Sequence, residues 1–366
     1  MKNTFGNNIT LTVFGESHGS AIGAVIDGLA PGLTVDLDYI NKLLALRRPA
    51  GEISTARREA DAYVIESGVF EGKTTGTPIC IRIPNEDTRS QDYSATRYLA
   101  RPSHADYTAN CKYHGWEDYR GGGHFSGRVT AAIVAAGAIV LPALNKKGIK
   151  IGTHIKKCGG IEDRDFSEAI LNEIDSLYDK NFAVLDDAAG NKMMEAITKA
   201  KSAGNSVGGI LETVVLGMDA GVGEPMFDTV EGLLSHALFA VPGIKGVEFG
   251  AGFAIADMTG SNANDAFFME QNMVRTRSNH AGGINGGITN GMPIVFRCAV
   301  RPTPTLGMEQ HTIDMAARTD TVLQSKGRHD PCIVHRARIV VDCITALTIA
   351  DMLCTRYGTD WLVDET

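Results

Sequence analysis

Two stretches of the sequence, 215 residues apart, decide the fold. Residues 72–82 read GKTTGTPICIR, and residues 287–297 read GITNGMPIVFR. Both contain two glycines, a proline, an apolar run and an arginine in the same order, a pattern typical of a glycine turn that leads into a strand. Chance similarity between two glycine turns is one explanation of the match. Internal duplication is the other, and it predicts two related halves in one chain.

The segments before the first match predict two strands followed by a helix. Residues 8–14 and 21–26 have the alternating or apolar patterns of strands. Asp36 can cap a helix that buries one apolar face and ends near Arg47 and Arg48, just before a proline.

The second half repeats this order. Residues 210–216 predict a strand, and residues 231–239 predict a helix. Between the halves, residues 168–177 and 192–202 predict amphipathic helices. We therefore predict an α+β fold with a single domain over residues 1–366. Its pseudo-repeat covers approximately 8–145 and 206–356, with a helical excursion near 160–204.

Composition excludes several classes of protein. The 366 residues are 43% hydrophobic and 21% charged, which is typical of a folded globular chain. The net charge of −8 gives no global positive field for nucleic acid or an anionic membrane, so a bound anion must be held locally. Seven cysteines without a CxxC pair or a Cys/His set at zinc spacing favour a reducing cytoplasm and no structural metal. Residues 129–144 are apolar but short and interrupted, so we expect a buried helix rather than a membrane span.

One glycine-rich motif predicts an anion site. Residues 120–128 read RGGGHFSGR and precede the apolar helix. Glycines let backbone N–H groups converge on an anion, and a helix N-terminus adds its dipole. The motif has neither the Gly-Lys-Ser/Thr of a P-loop nor the Rossmann GxGxxG pattern. A simple glycine hinge before a buried helix is the alternative.

Other polar loops carry candidate acids, bases and cations. His18 and His104 lie between turn-forming residues, where an imidazole can face a ligand and titrate near neutral pH, although ordinary packing is the alternative for each. Residues 326–332 read KGRHDPC and precede an apolar segment, 339–341, that we interpret as a strand. Arginines are concentrated in residues 47–128 and 275–338, and their planar forks match phosphate and carboxylate groups. Together these loops indicate acid–base chemistry on a small, multiply charged substrate.

At this point the motifs resemble those of the chorismate synthase family, in its order and nearly from end to end. They are FGESHG, RRPAG, SGVFEGKTTGTPI, RSQDYS, RPSHADYT, DYRGGGHFSGR, NSVGG, KGVEFGAGF, SNHAGGINGG, RPTPT and KGRHDPC. The resemblance implies a β-α-β sandwich of two pseudo-symmetric halves and a cytoplasmic homotetramer. It also implies a lyase that uses reduced FMN from an external source. The implied reaction is the anti-1,4-elimination of the C3 phosphate and the C6 pro-R hydrogen from 5-enolpyruvylshikimate 3-phosphate, which gives chorismate for the synthesis of aromatic amino acids.

The resemblance also assigns roles to individual residues. His18 matches the histidine that protonates the departing phosphate, His104 the one that protonates the flavin, and Asp330 the carboxylate that relays a proton. The implied substrate-binding arginines are Arg48, Arg58, Arg128 and Arg328, and Arg48 also matches an NADP position of some members. We expect repulsion among these arginines to be tolerable only once anions bind, and loops there to order on binding.

The implied FMN contacts lie in five segments. They are His124, Phe125 and Ser126; Pro242 and Gly243; Gly286; Arg301, Pro302, Thr303, Pro304 and Thr305; and Arg328. Many relatives differ from this chain at three places. They have Arg-Ser-Ser where this chain has His124, Phe125 and Ser126, lysine in place of Arg301, and proline or glycine in place of His335. Two alternatives stay open: a non-catalytic flavin- or phosphate-binding protein, and a different flavin-dependent lyase that acts on a related phospho-cyclohexene.

Overall fold

The computed structural model describes residues 2–49, 51, 53–54, 60–86, 96–167, 169–324 and 330–363. The strands are β1 (Thr4–Phe5), β2 (Thr10–Gly15), β3 (Ala21–Asp27), β4 (Val64–Ile65), β5 (Val69–Phe70), β6 (Lys73–Thr74), β7 (Ile79–Pro84), β8 (Lys150–Cys158), β9 (Ile161–Glu162), β10 (Gly209–Leu216), β11 (Ile244–Phe249), β12 (Phe267–Glu270), β13 (Met273–Thr276), β14 (Ile284–Asn285), β15 (Ile288–Thr289), β16 (Ile294–Val300), β17 (Gln310–Asp314) and β18 (Thr319–Leu323). The helices are α1 (Leu37–Arg47), α2 (Asp106–Tyr113), α3 (Thr130–Lys146), α4 (Ile170–Leu177), α5 (Asp187–Ser202), α6 (Val230–Phe239), α7 (Gly260–Ala263) and α8 (Val334–Tyr357).

Two antiparallel sheets form the outer layers. The first has the strand order β1-β2-β3-β7-β4, and the second has the order β11-β16-β10-β8-β9. Helices α3 and α8 pack against each other between the sheets, with α3 on β3 and β7 and α8 on β8 and β10. The fold is therefore α+β, a β-α-β sandwich, as the sequence predicts.

The long central helices are buried on nearly all sides. Twenty of the 24 residues of α8 are buried, and they include residues 339–341. The strand predicted for that segment is therefore wrong. A helix buried all round has no polar face, so a short run of β-branched residues within it cannot be distinguished from a buried strand by periodicity.

The apolar segment before Lys147 forms α3, as predicted. The helical stretch Gly127–Lys146 is long and apolar enough to cross a membrane, but 89% of its most apolar window is buried inside the protein. Gly137 explains how α3 approaches α8 so closely. A Cβ atom there would lie 2.4 Å from Cβ of Cys343 on α8.

The two sequence matches occupy equivalent places in the two sheets. In the first, the β5–β6 hairpin precedes β7; in the second, the β14–β15 hairpin precedes β16. Thr74 accepts a hydrogen bond from the Leu33 amide (2.9 Å) and donates one to the Ala30 carbonyl (2.6 Å). Thr289 makes the same pair of bonds with the Val222 amide (2.9 Å) and the Asp219 carbonyl (2.6 Å). Each buried hydroxyl thus satisfies a peptide donor and a peptide acceptor in the turn beside its hairpin.

Candidate active site

A cavity of about 370 Å³ opens where loops from both halves meet. This volume is within the range of small-molecule sites. Of the predicted catalytic and substrate-binding residues, His104, Arg128 and Asp330 line it. Of the predicted flavin contacts, Phe125, Ser126, Pro242, Gly243, Arg301, Thr303 and Pro304 line it. Arg58 and Arg328 lie outside the described residues.

The glycine-rich motif forms a tight loop on one side of the cavity. Gly121, Gly122 and Gly123 all have positive φ (+64°, +120° and +53°), which favours glycine. A Cβ atom on Gly121 would lie 2.1 Å from Cε1 of His18, so only glycine lets the loop cross this imidazole. The loop continues through two short 3₁₀ turns into α3.

His18 lies behind this loop rather than among the cavity-lining residues. Its side chain is buried, and Nδ1 is 3.0 Å from Oγ of Ser17. The Ser17 amide donates to the Gly123 carbonyl at 3.0 Å, which ties the first histidine loop to the glycine loop. The structure therefore brings the predicted acid and the predicted anion loop together, with Gly121 between His18 and the cavity.

His104 faces the cavity in a cationic environment. Its Nε2 is 2.7 Å from Oγ1 of Thr305. Burial, followed by the charge of Arg101 and with a smaller effect of Arg301, lowers the pKa of His104 to about 4, although Asp106 opposes the shift. His104 is thus neutral at pH 7 in the ligand-free protein. An anion bound nearby would favour its protonated form.

Asp330 is held by an arginine that sequence reasoning missed. Its Oδ2 accepts a hydrogen bond from Nη1 of Arg336 at 2.6 Å, and Nε of Arg336 donates to the carbonyl of Arg47 at 2.9 Å. Arg336 lies in the first turn of α8 and lines the cavity. The concentration of arginines in residues 275–338 was the available signal, but nothing in the sequence singled out Arg336.

A second residue that sequence reasoning missed, Asp61, forms ion pairs with three arginines. Oδ2 accepts from Nη2 of Arg47 at 2.9 Å and is 3.5 Å from Nε of Arg48, while Oδ1 accepts from Nη1 of Arg128. Arg47 and Arg128 line the cavity, whereas Arg48 is not among its lining residues. Asp61 thus offsets part of the positive charge of Arg48 and Arg128. The expectation that bound anions relieve the remaining repulsion stays a prediction, and two of the arginines it concerns, Arg58 and Arg328, lie outside the described residues.

Besides Arg47, Arg128 and the predicted flavin contact Arg301, three further arginines line the cavity. Arg97 lies over the rings of Tyr98 and Tyr119, with 5.1 and 4.9 Å between its guanidinium carbon and the ring centroids. Arg101 forms a two-pronged ion pair with Asp106 through Nε (2.8 Å) and Nη2 (2.7 Å). Arg336 is the third. The cavity therefore offers its cations in fixed orientations.

Seven of the predicted flavin contacts line the cavity, beside apolar side chains such as Ile333. A Cβ atom on Gly243 (φ +99°) would lie 3.0 Å from Cδ1 of Ile333. Thr303 Oγ1 is buried and has no hydrogen-bond partner among the described residues. A buried hydroxyl in a cavity wall without a protein partner suits a polar atom of a ligand. These observations are compatible with FMN.

Four predicted flavin contacts do not line the cavity. His124 donates from Nδ1 to the Gly15 carbonyl at 2.7 Å and so links the glycine loop to the end of β2. Gly286 lies exposed in the turn between β14 and β15. Pro302 and Thr305 flank lining residues, and Thr305 contacts His104.

Comparison with known proteins identifies the family. The chorismate synthase family model matches residues 9–354. A chorismate synthase of Dehalococcoides mccartyi is 43% identical over 353 residues, which cover 96% of each chain. A chorismate synthase of Thermococcus kodakarensis is 40% identical over 358 residues, which cover 98% of this chain and 99% of that protein. A crystal structure of chorismate synthase matches with a TM-score of 0.76 and 29% identity, covering 97% of this chain and 94% of that one. The chain therefore belongs to the chorismate synthase family.

Proposed function

We propose that this protein catalyses the anti-1,4-elimination of the C3 phosphate and the C6 pro-R hydrogen from 5-enolpyruvylshikimate 3-phosphate. The products are chorismate and inorganic phosphate, and the enzyme is a carbon–oxygen lyase acting on phosphates. This reaction is the last common step of the shikimate pathway to aromatic amino acids. The observation that carries the proposal is the convergence of Arg128, His104 and Asp330 on one cavity in a chain of this family.

Arg47, Arg48 and Arg128, the three arginines around Asp61, would bind the substrate; we call them the arginine wall. The substrate has three acidic groups, one phosphate and two carboxylates, and these match the planar donors of the guanidinium groups. Arg58 and Arg328 stay predictions of the sequence, as does the NADP contact of Arg48. Fixed donors aimed at the phosphate would stabilise negative charge as the C3–O bond breaks.

Three side chains would donate, accept or relay protons. His18, held by Ser17 behind the glycine loop, would protonate the departing phosphate. His104 would gain a proton when anions fill the cavity, since their charge opposes that of Arg101. Asp330, oriented by Arg336, would relay a proton from the bound flavin.

Reduced FMN would supply electron density to the substrate and take up the C6 hydrogen when it is bound. Phe125, Ser126, Pro242, Gly243 and Thr303 would hold it, with Arg301 as a nearby cation. Arg301 is itself oriented by a bond from Nη1 to the carbonyl of Ser103 at 2.8 Å. Reduced flavin would come from an external source, as the family resemblance implies.

The test is turnover of 5-enolpyruvylshikimate 3-phosphate under anaerobic conditions with photoreduced FMN. We expect equal amounts of chorismate and phosphate, and none with oxidised FMN. FMN binding without turnover would favour the non-catalytic alternative. Turnover of another phospho-cyclohexene but not of this substrate would favour the different lyase. NADPH-driven turnover with oxidised FMN and the purified protein alone would contradict the external flavin source.

We further propose a homotetramer located in the cytoplasm. Several large apolar side chains are exposed on the single chain, among them Phe253 (85%), Phe267 (63%) and Met269 (64%), and contiguous exposed apolar surface favours subunit contacts. All seven cysteines are free, which suits a reducing compartment. Light scattering coupled to size-exclusion chromatography tests the assembly, and a monomeric mass would contradict it.

A further inference from the structure

Asp61 is the charged residue at the centre of the arginine wall. Its side chain has no exposed surface, and its carboxylate contacts guanidinium groups from two separate segments of the chain. Arg47 ends α1, while Arg128 lies just before α3 and is also held by Oδ1 of Asn85 (3.1 Å) and the Pro84 carbonyl (3.2 Å). Asp61 therefore joins the end of α1 to the end of β7 and the start of α3.

The charge of Asp61 is maintained by its neighbours. Burial by itself would raise the pKa of this carboxyl, but the charges of Arg47 and Arg128, together with their hydrogen bonds, outweigh burial and lower the pKa. The ionised carboxylate offsets repulsion between guanidinium groups that would otherwise turn away from each other.

The contacts of Arg47 extend this network to Asp330. Its side chain is bound to Asp61, and its main-chain carbonyl accepts from Nε of Arg336, which in turn binds Asp330 at 2.6 Å. Nε of Arg47 is buried and has no hydrogen-bond partner among the described residues. Arg47 also lines the cavity, so Asp61 fixes the guanidinium plane of a cavity-lining residue.

We propose that Asp61 is a positioning residue that sets the orientation of Arg47 and Arg128 toward the anionic groups of the substrate. The inference rests on the proposed function and deepens it, because it assigns the geometry of the substrate-binding cations to a carboxylate that does not line the cavity. Two other roles are possible for a buried carboxylate: a simple counter-charge, or a contribution to folding alone. The three roles predict different results when the side chain is changed.

The experiment compares substrate binding by the wild-type protein, Asp61→Asn and Asp61→Glu. Asn keeps the size of the side chain and tolerates the left-handed backbone of residue 61 (φ +52°), so it removes the charge and one of the two acceptor oxygens without changing the packing volume. Glu keeps the charge but moves it by one methylene. Asp342→Asn is the matched control, because Asp342 is a fully buried carboxylate 3.2 Å from Arg338 that does not line the cavity.

Titration calorimetry would give the Kd of 5-enolpyruvylshikimate 3-phosphate with oxidised FMN present, and flavin fluorescence would give the Kd of FMN. We expect the substrate Kd to rise by roughly 10–100-fold in Asp61→Asn, since a charged hydrogen-bond acceptor is lost. In Asp61→Glu it should rise by at least about fivefold. The Kd of FMN in both variants, and of both ligands in Asp342→Asn, should change by less than about threefold.

Each other outcome has a distinct meaning. Tighter substrate binding by Asp61→Asn, or wild-type affinity in Asp61→Glu, would identify a counter-charge and overturn the proposal. Unchanged affinity in both variants, or failure of both to fold, would assign Asp61 to stability and overturn it as well. Absence of substrate binding by the wild-type protein would instead contradict the proposed function.

Discussion

At the scale of single residues, the two predicted histidine acids occupy different environments. His18 is buried beside Ser17 and under Gly121, whereas His104 faces the cavity beside Arg101 and Thr305. Nearby cations disfavour the charged form of an imidazole and a bound anion favours it, so the proposed function predicts that His104 gains a proton when ligands bind. The proposed roles of the two residues are therefore separable by mutation.

We predict that His18→Ala and His104→Ala each lower kcat by roughly 10²–10⁴-fold, the usual contribution of a general acid or base. FMN should still bind to both variants, because Pro242, Gly243 and the other predicted flavin contacts that line the cavity are retained. Single-turnover phosphate release measures the effect. His311→Ala, which changes an exposed histidine in β17, is the control and should retain wild-type turnover. Near-normal phosphate release by either active-site variant would refute the acid role of that histidine.

Sequence motifs located most of the candidate site but not the residues that orient it. Asp61 and Arg336 were missed because their importance lies in partners that are distant along the chain, as in the contact of Arg336 with the Arg47 carbonyl. The motif match also could not show that His124 turns toward Gly15. Side-chain direction depends on packing, which the type of residue does not determine.

At the scale of elements, local signals were reliable where an element has one polar and one buried face. Asp36 caps α1 by accepting from the Tyr39 amide at 2.9 Å, and the strands at Thr10–Gly15 and Ala21–Asp27 follow the predicted patterns. The signal failed in α8, where residues 339–341 are buried on all sides. Burial by tertiary contacts removes the periodicity on which such predictions depend.

The paired hairpins give a prediction at this scale. Thr74→Val and Thr289→Val should each lower the free energy of unfolding by roughly 1–3 kcal/mol, because each leaves a buried amide and a buried carbonyl without a partner. The two losses should be similar, since the hydroxyls make matching bonds to Leu33 and Ala30 and to Val222 and Asp219. Chemical denaturation measures them. Thr74→Ser and Thr289→Ser keep the hydroxyl and should lose less; an unaffected valine variant would show that its hydroxyl is not needed.

At the scale of the whole molecule, the cavity depends on the middle layer of the sandwich. The glycine loop leads into α3, and Asp330 and Arg336 lie at the start of α8. The relative position of α3 and α8 therefore determines how far the anion loop lies from the predicted proton acceptor. At Gly137 of α3, an added side chain would collide with Cys343 of α8.

We predict that Gly137→Ala lowers the free energy of unfolding by roughly 1–3 kcal/mol, the cost of overpacking a buried contact, despite a gain of about 1 kcal/mol in helix propensity. The new methyl would lie 2.4 Å from Cβ and 2.7 Å from Cα of Cys343. Cys343→Ala should not rescue the variant, because alanine keeps both of those atoms.

Gly260→Ala is the control for this substitution. Gly260 begins α7, and no atom lies within 4 Å of the Cβ that alanine would add there. The denaturation midpoint of this variant should equal or exceed that of the wild type. Because residues of both helices line the cavity, Gly137→Ala should also weaken FMN binding, whereas Gly260→Ala should not. A Gly137→Ala protein with wild-type stability and FMN affinity would show that α3 and α8 can separate without moving the cavity walls.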